Sequence, residues 1–104
     1  MGTIKTFRDL IVWQNSMHLL TQIYWASGNF PKSEFYGLIS QLRRSAVSIL
    51  SNIAEGYVRR SIEDYVSFLQ FFVGSLYELQ TQMKIAKKLE NLTEFEFNCL
   101  YENT

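Results

Sequence analysis

From Ile62 to Ala86 the apolar residues Ile62, Tyr65, Leu69, Phe72, Leu76, Leu79, Met83 and Ala86 step by three and four without interruption. That spacing keeps one side of an α-helix apolar. Ser61-Ile62-Glu63-Asp64 precedes the run as a capping box, with the Ser61 hydroxyl placed to accept an orphan backbone N–H. The pattern therefore predicts a long helix beginning at Ile62. Lys84, Lys87 and Lys88 close it with cations suited to the negative end of its dipole.

The rest of the chain supplies neighbours for such a helix. Residues 37–60 place Leu38, Leu42, Ala46, Ile49, Ile53 and Tyr57 on one helical side. The opposite side carries Gln41, Arg44, Ser48, Ser51, Asn52 and Glu55, a row suited to close packing or anion contact. This helix is expected to end near Ala54 or Glu55, with Gly56 as its cap. Upstream, Thr6-Phe7-Arg8-Asp9 reads as a capping box opening a helix to about Ser27. It bears two apolar stripes, Leu10, Trp13, Met17, Leu20 and Tyr24, then Val12, Leu19 and Ile23. Two stripes imply two neighbours. Gly28 is placed to end that helix in the left-handed conformation, and Pro31 forbids its continuation, leaving Asn29 to Tyr36 as a connection with room for one helical turn. Asn91 is the expected left-handed cap of the long helix, and Thr93-Glu94-Phe95-Glu96 is a third capping box. The helix it opens is short. It needs Phe95, Phe97, Leu100 or Tyr101 to dock on the others, because so short a helix is marginal alone in water. The expected fold is all-α, an antiparallel up-down four-helix bundle with a short fourth helix, in a single domain over 1–104.

Composition excludes disorder, since 47% of the 104 residues are apolar and 15% aromatic. No apolar run reaches the length of a membrane span, and the first residues lack an apolar signal core, so a cytoplasmic location is expected. The single cysteine, Cys99, fits a reducing compartment and is read as a small apolar filler. Ten basic residues balance ten acidic ones, yet the distribution is uneven. From Lys32 to Arg60 five basic residues face Glu34 and Glu55, whereas the tail from Asn91 carries Glu94, Glu96 and Glu102 with no basic residue. Arginine patches serve phosphates, and they serve carboxylate pairing at least as often.

Catalysis needs converging groups, and one histidine and one cysteine lie far apart in sequence. No H-E-x-x-H, C-x-x-C or glycine-rich phosphate loop is present. His18 reads as a helix-flank imidazole, Glu63 and Asp64 as cap and dipole residues, and Glu55 as a salt-bridge partner of Arg44, Arg59 or Arg60. Neither an enzyme nor a cofactor or metal site is expected.

Several stretches taken together are similar to a known family: Phe7-Arg8-Asp9-Leu10-Ile11-Val12-Trp13-Gln14, Phe30-Pro31, Tyr36-Gly37-Leu38, Ser40-Gln41-Leu42-Arg43-Arg44-Ser45-Ala46-Val47-Ser48-Ile49, and Ser51-Asn52-Ile53-Ala54-Glu55-Gly56. With Arg59-Arg60-Ser61, Tyr65, Phe68-Leu69, Gly74-Ser75-Leu76, Glu78-Leu79 and Gln82, the chain resembles the bacterial four-helix-bundle proteins of the 23S rRNA-intervening-sequence family. The resemblance implies an antiparallel bundle assembling into a homopentamer. It also implies kinship with the accessory variability protein of diversity-generating retroelements, a basic pentameric barrel that binds nucleic acid and a reverse transcriptase. The family's usual Thr and Pro in the second helix are Ile39 and Leu50 here, which predicts a straighter helix. Its fourth helix usually continues for several more turns than this chain carries.

The expected function is that of a non-catalytic oligomer binding RNA or DNA. Its candidate contacts are Arg43, Arg44, Arg59 and Arg60, with Lys84, Lys87 and Lys88 as a second patch if symmetry gathers them. The rival reading is a purely structural module in which the arginines pair with Glu55, Glu63, Asp64 and Glu78. Ser67, Gly74 and Thr81 form a smooth row on the back of the long helix, with Phe71 and Ile85 also outside its seam. Gly74 in mid-helix costs about 1 kcal/mol relative to Ala, which suggests a close subunit contact along that row.

Overall fold

The structure, a computed structural model, describes residues 5–58 and 61–104. Helix α1 spans Ile11–Ser27, α2 Ser40–Tyr57, α3 Ile62–Lys88 and α4 Glu94–Glu102, and no strand occurs among the described residues. α1 packs on α2, α2 on α3, α3 on α4, and α4 back on α1. The fold is thus an all-α four-helix bundle.

α2 and α3 run antiparallel, and a polar ladder sets their register. The Ser45 hydroxyl donates to Gln82 Oε1 at 3.0 Å, and the Ser48 and Ser75 hydroxyls meet at 2.8 Å. Asn52 Nδ2 donates to the Ser48 carbonyl at 2.9 Å and to its hydroxyl at 3.2 Å. Part of the small polar row of α2 therefore faces α3, where short side chains permit close approach. Gly56 belongs to the same seam. It does not cap α2, which runs on to Tyr57; it is buried, and a Cβ there would sit 3.3 Å from Phe68 Cβ.

The core gathers at one end. Leu19 and Ile23 of α1, Leu42, Ala46 and Ile49 of α2, Leu79, Met83 and Ala86 of α3, and Phe97 and Leu100 of α4 enclose one another. The buried residues of α3 all lie between Leu79 and Ala86, while Ile62, Tyr65 and Leu69, at the start of the same heptad seam, are exposed, Ile62 at 82%. The length of α4 explains this. Its end meets α3 at Gln80, whose Nε2 donates to Thr104 Oγ1 at 2.8 Å, and meets α1 at Gln22, whose Oε1 accepts from Asn103 Nδ2 at 2.8 Å. Beyond that level the seam has no fourth helix over it. Along α1, Met17 and Tyr24 of the first stripe and Val12 of the second are exposed, Leu19 and Ile23 of the second are buried, and Leu20 of the first packs at the edge of the core.

The local signals hold only in part. The Thr6–Asp9 capping box forms, but it opens a 3-10 turn over Phe7–Asp9; extended backbone at Leu10 separates that turn from α1. The Asp9 carboxylate accepts from the Lys5 and Thr6 backbone N–H groups, which hold its pKa below the ordinary value. Ser61 caps α3 by accepting from the Asp64 N–H, and the Thr93–Glu96 box closes on both sides. Gly28 is right-handed, not left-handed. The connection after Pro31 forms a 3-10 turn over Lys32–Glu34 and then a kinked segment over Phe35–Ile39, whose helical course is interrupted at Gly37 (φ −104°, ψ −106°). With Ile39 and Leu50 in place, α2 is regular from Ser40, and both residues are buried. Cys99 is exposed rather than a core filler, and of the aromatic residues of α4 Phe97 docks whereas Phe95 is 78% exposed.

The left-handed residue after α3 is Glu90 (φ 64°), one position before the expected Asn91. A Cβ is unfavourable in that conformation. Glu90→Gly is expected to raise stability by about 0.5–1 kcal/mol, read as a higher urea midpoint; a lower midpoint would contradict the strain.

Candidate functional site

The basic residues singled out by the sequence fall into three different situations. Arg43 points into the α1/α2 seam. Its Nε donates to Ser27 Oγ at 2.9 Å, its Nη2 donates to the Tyr24 carbonyl at 3.3 Å, and its guanidinium lies 4.5 Å from the Tyr24 ring centroid. The Tyr24 carbonyl also accepts from the Gly28 N–H at 3.1 Å and from the Ser27 hydroxyl at 3.3 Å. Arg43 thereby helps to satisfy a C-terminal carbonyl of α1 and places a cation at its negative end, so α1 can stop without a left-handed glycine.

Lys84 and Lys87 lie against α4. Their ammonium groups sit 5.4 Å from the Tyr101 ring centroid and 4.7 Å from the Phe97 ring centroid respectively. Lys88 is exposed at the end of α3. The ladder between Ser45 and Gln82 brings all of these to the same end of the bundle as the arginines. They do not form one patch, because the α1/α2 and α3/α4 seams lie on opposite sides of the ring. Arg59 and Arg60 lie outside the described residues.

Arg44 differs from its neighbour. It is exposed and has no ion pair with any described residue; Glu55, its expected partner, is likewise exposed without one. Beside Arg44 lies an open cavity of about 450 Å³ walled by Tyr24, Phe35, Tyr36, Ile39, Ser40, Arg43 and Val47. No acidic side chain lines it. Phe35 and Tyr36 of this wall were not read from the sequence as candidate contacts. The signal available was Phe35-Tyr36 next to Gly37, just ahead of a helix.

A second, apolar cavity of about 310 Å³ lies over the uncovered half of the bundle, among Val12, Ile53, Tyr57, Tyr65, Leu69 and Phe72. The α3 row expected at a subunit contact, Ser67, Phe71, Gly74, Thr81 and Ile85, is exposed throughout. A Cβ added at Gly74 would meet nothing within 4 Å, so no backbone of this chain closes on it. Thr81 turns its hydroxyl back to the Tyr77 carbonyl at 2.9 Å, which leaves the row smooth. His18 and Cys99 are exposed on α1 and α4, and no cluster of three or more His, Cys, Asp or Glu occurs among the described residues. Nor is any helix among them long and apolar enough to cross a membrane.

The model of one protein family, described as 23S rRNA-intervening sequence protein, matches residues 8–104. The chain belongs to that family. No curated protein matches it. As a 23S rRNA-intervening sequence protein it keeps Arg43 as a packing residue and leaves Arg44 free, a division that adjacent arginines do not reveal in sequence.

Arg43→Ala is expected to lower stability by about 1–3 kcal/mol, since it removes two charge-assisted bonds and the cation–π contact with Tyr24. Arg44→Gln should move it by less than about 0.5 kcal/mol. Equal loss from both in thermal unfolding would contradict their different placements.

Proposed function

We propose that this 23S rRNA-intervening sequence protein is a non-catalytic cytoplasmic oligomer that binds nucleic acid through its basic surface. The observation that carries the reading is Arg44, a guanidinium held on a regular helix with no carboxylate paired to it among the described residues, beside a cavity that none of their acidic side chains lines. Repetition around a ring would multiply so small a patch, and five copies are favoured by the family resemblance alone. Kinship with the accessory variability protein of diversity-generating retroelements, and a reverse transcriptase partner, belong to the same proposal. Titrating the purified protein with structured RNA, duplex DNA and an RNA–DNA hybrid at several salt concentrations tests it. Binding that weakens linearly in log affinity against log salt supports it, and absence of binding to all three at low salt refutes it.

A structural scaffold is the second reading, and it too has a specific observation behind it. Arg43, Lys84 and Lys87 are engaged within the bundle. On either reading the exposed face of α3 is where copies would meet. Phe71 is 63% exposed there and Ile85 lies on the same row. Phe71→Ser with Ile85→Ser is expected to lower the mass seen by light scattering while the helical circular dichroism stays within about a tenth of its original value. Loss of helix in parallel with mass would contradict the placement, and a monomeric mass for the unaltered protein would remove the oligomer.

A further inference from the structure

We infer that the cavity between the C-terminal end of α1 and the kinked segment before α2 holds an unpaired nucleobase together with its phosphate, so that the protein prefers single-stranded nucleic acid to duplex. This rests on the nucleic-acid-binding reading and deepens it.

Three observations converge there. The first is the aromatic pair. Phe35 and Tyr36 stand edge to face, with centroids 5.0 Å apart and planes at 83°, and Tyr36 is 92% exposed. These rings are held outward by their surroundings. Phe30 before them and Leu38 and Ile39 after them are buried, and the break at Gly37 lets the chain pass from outward aromatics to inward aliphatics within a few residues.

The second observation is the charge. Arg43 is fixed over Tyr24 and supplies a positive field to the cavity wall, while Arg44 next to it stays free to reach a phosphate. Glu34 is the acidic residue closest to the turn, near Gly37, yet it does not line the cavity. The third observation is size. About 450 Å³, open on one side, lies within the range of small-molecule sites and accommodates a base with its sugar phosphate.

An exposed ring beside an unpaired cation matches what single strands offer: a π-face that any base presents, and a phosphate one bond system away. Duplexes hide those faces in the stack and present mainly phosphates. The stacking surface should therefore discriminate by strand state rather than by sequence.

The test titrates the full-length protein, by fluorescence anisotropy, with a labelled oligoadenylate, with the same strand paired into a duplex, and with unlabelled AMP as competitor. The single strand is expected to bind at least about tenfold more tightly than the duplex. Tyr36→Ala should weaken single-strand binding about tenfold while leaving the salt slope unchanged, since stacking carries no counterion release. Arg44→Gln should weaken it and reduce the slope by about one. Competition by AMP at micromolar concentration would identify the free nucleotide as an occupant of the same pocket, and Tyr36→Ala should abolish it. Because Tyr36 is exposed, its loss should leave helical content unchanged, which circular dichroism verifies. Single-strand binding that both variants leave intact would overturn the site and spare nucleic-acid binding. Duplex preference would overturn the site in the same way. A failure to bind any nucleic acid would overturn both. A fall in oligomer mass in Tyr36→Ala without a change in strand affinity would assign the rings to a protein contact instead.

Discussion

Leu42→Ala and Met83→Ala are each expected to lower the unfolding free energy by about 2–5 kcal/mol, measured by urea denaturation followed at the helical band. Leu42 is 1% exposed and Met83 fully buried, and they face each other's helices at the end where four helices meet. Truncating either removes transferred apolar surface and leaves a cavity that well-packed neighbours cannot collapse into. Leu69→Ala is the informative companion. It belongs to the same predicted seam of α3 but is exposed, so its cost should stay below about 1 kcal/mol. Equal losses at Leu42 and Leu69 would mean that the seam is buried along its whole length, and would contradict the half-covered bundle.

Ser45→Ala is expected to cost about 1–3 kcal/mol, because it strands the Gln82 carboxamide oxygen in a buried seam where water cannot replace the hydroxyl. Replacing both partners, Ser45→Ala with Gln82→Leu, should cost clearly less than the sum of the single changes, since no buried acceptor is then left without a donor. The double-mutant cycle measured in urea reports this coupling directly. Additive effects would show that the 3.0 Å bond contributes nothing beyond its two separate side chains.

Features set by a few neighbouring residues could be read in the sequence. The Ser61 cap, the Thr93–Glu96 box and the start of α3 depend only on residues within a turn of one another, and the structure places them where the spacing put them, while the left-handed residue after α3 falls one position early, at Glu90. What depended on a distant partner was misjudged. Gly56 resembles a helix end until Phe68 arrives against it from α3. Gly28 resembles a left-handed cap because nothing local announces that Arg43 will reach the Tyr24 carbonyl from the next helix. Adjacent arginines with identical chemistry cannot be told apart until the bundle turns Arg43 into a seam and Arg44 toward solvent. The kink at Gly37 was equally hidden. It arises where buried Leu38 and Ile39 must face inward while Phe35 and Tyr36 face out, a conflict between tertiary demands rather than a propensity of the segment.

The unequal covering of α3 also gives the molecule a gradient in how readily it opens. Amides around Leu79 and Met83 sit beneath four helices and exchange with solvent only when the whole domain unfolds, whereas those from Ile62 to Leu69 can be released by fraying that exposes little new apolar surface. Hydrogen exchange along this one helix should therefore slow progressively from its first turn to its last. Whatever comes to rest over Val12, Tyr65 and Leu69 must first immobilise that loose end, and part of its contact energy is consumed in doing so. Assembly at this face is consequently expected to be felt as much in the rigidity of α3 as in its contacts.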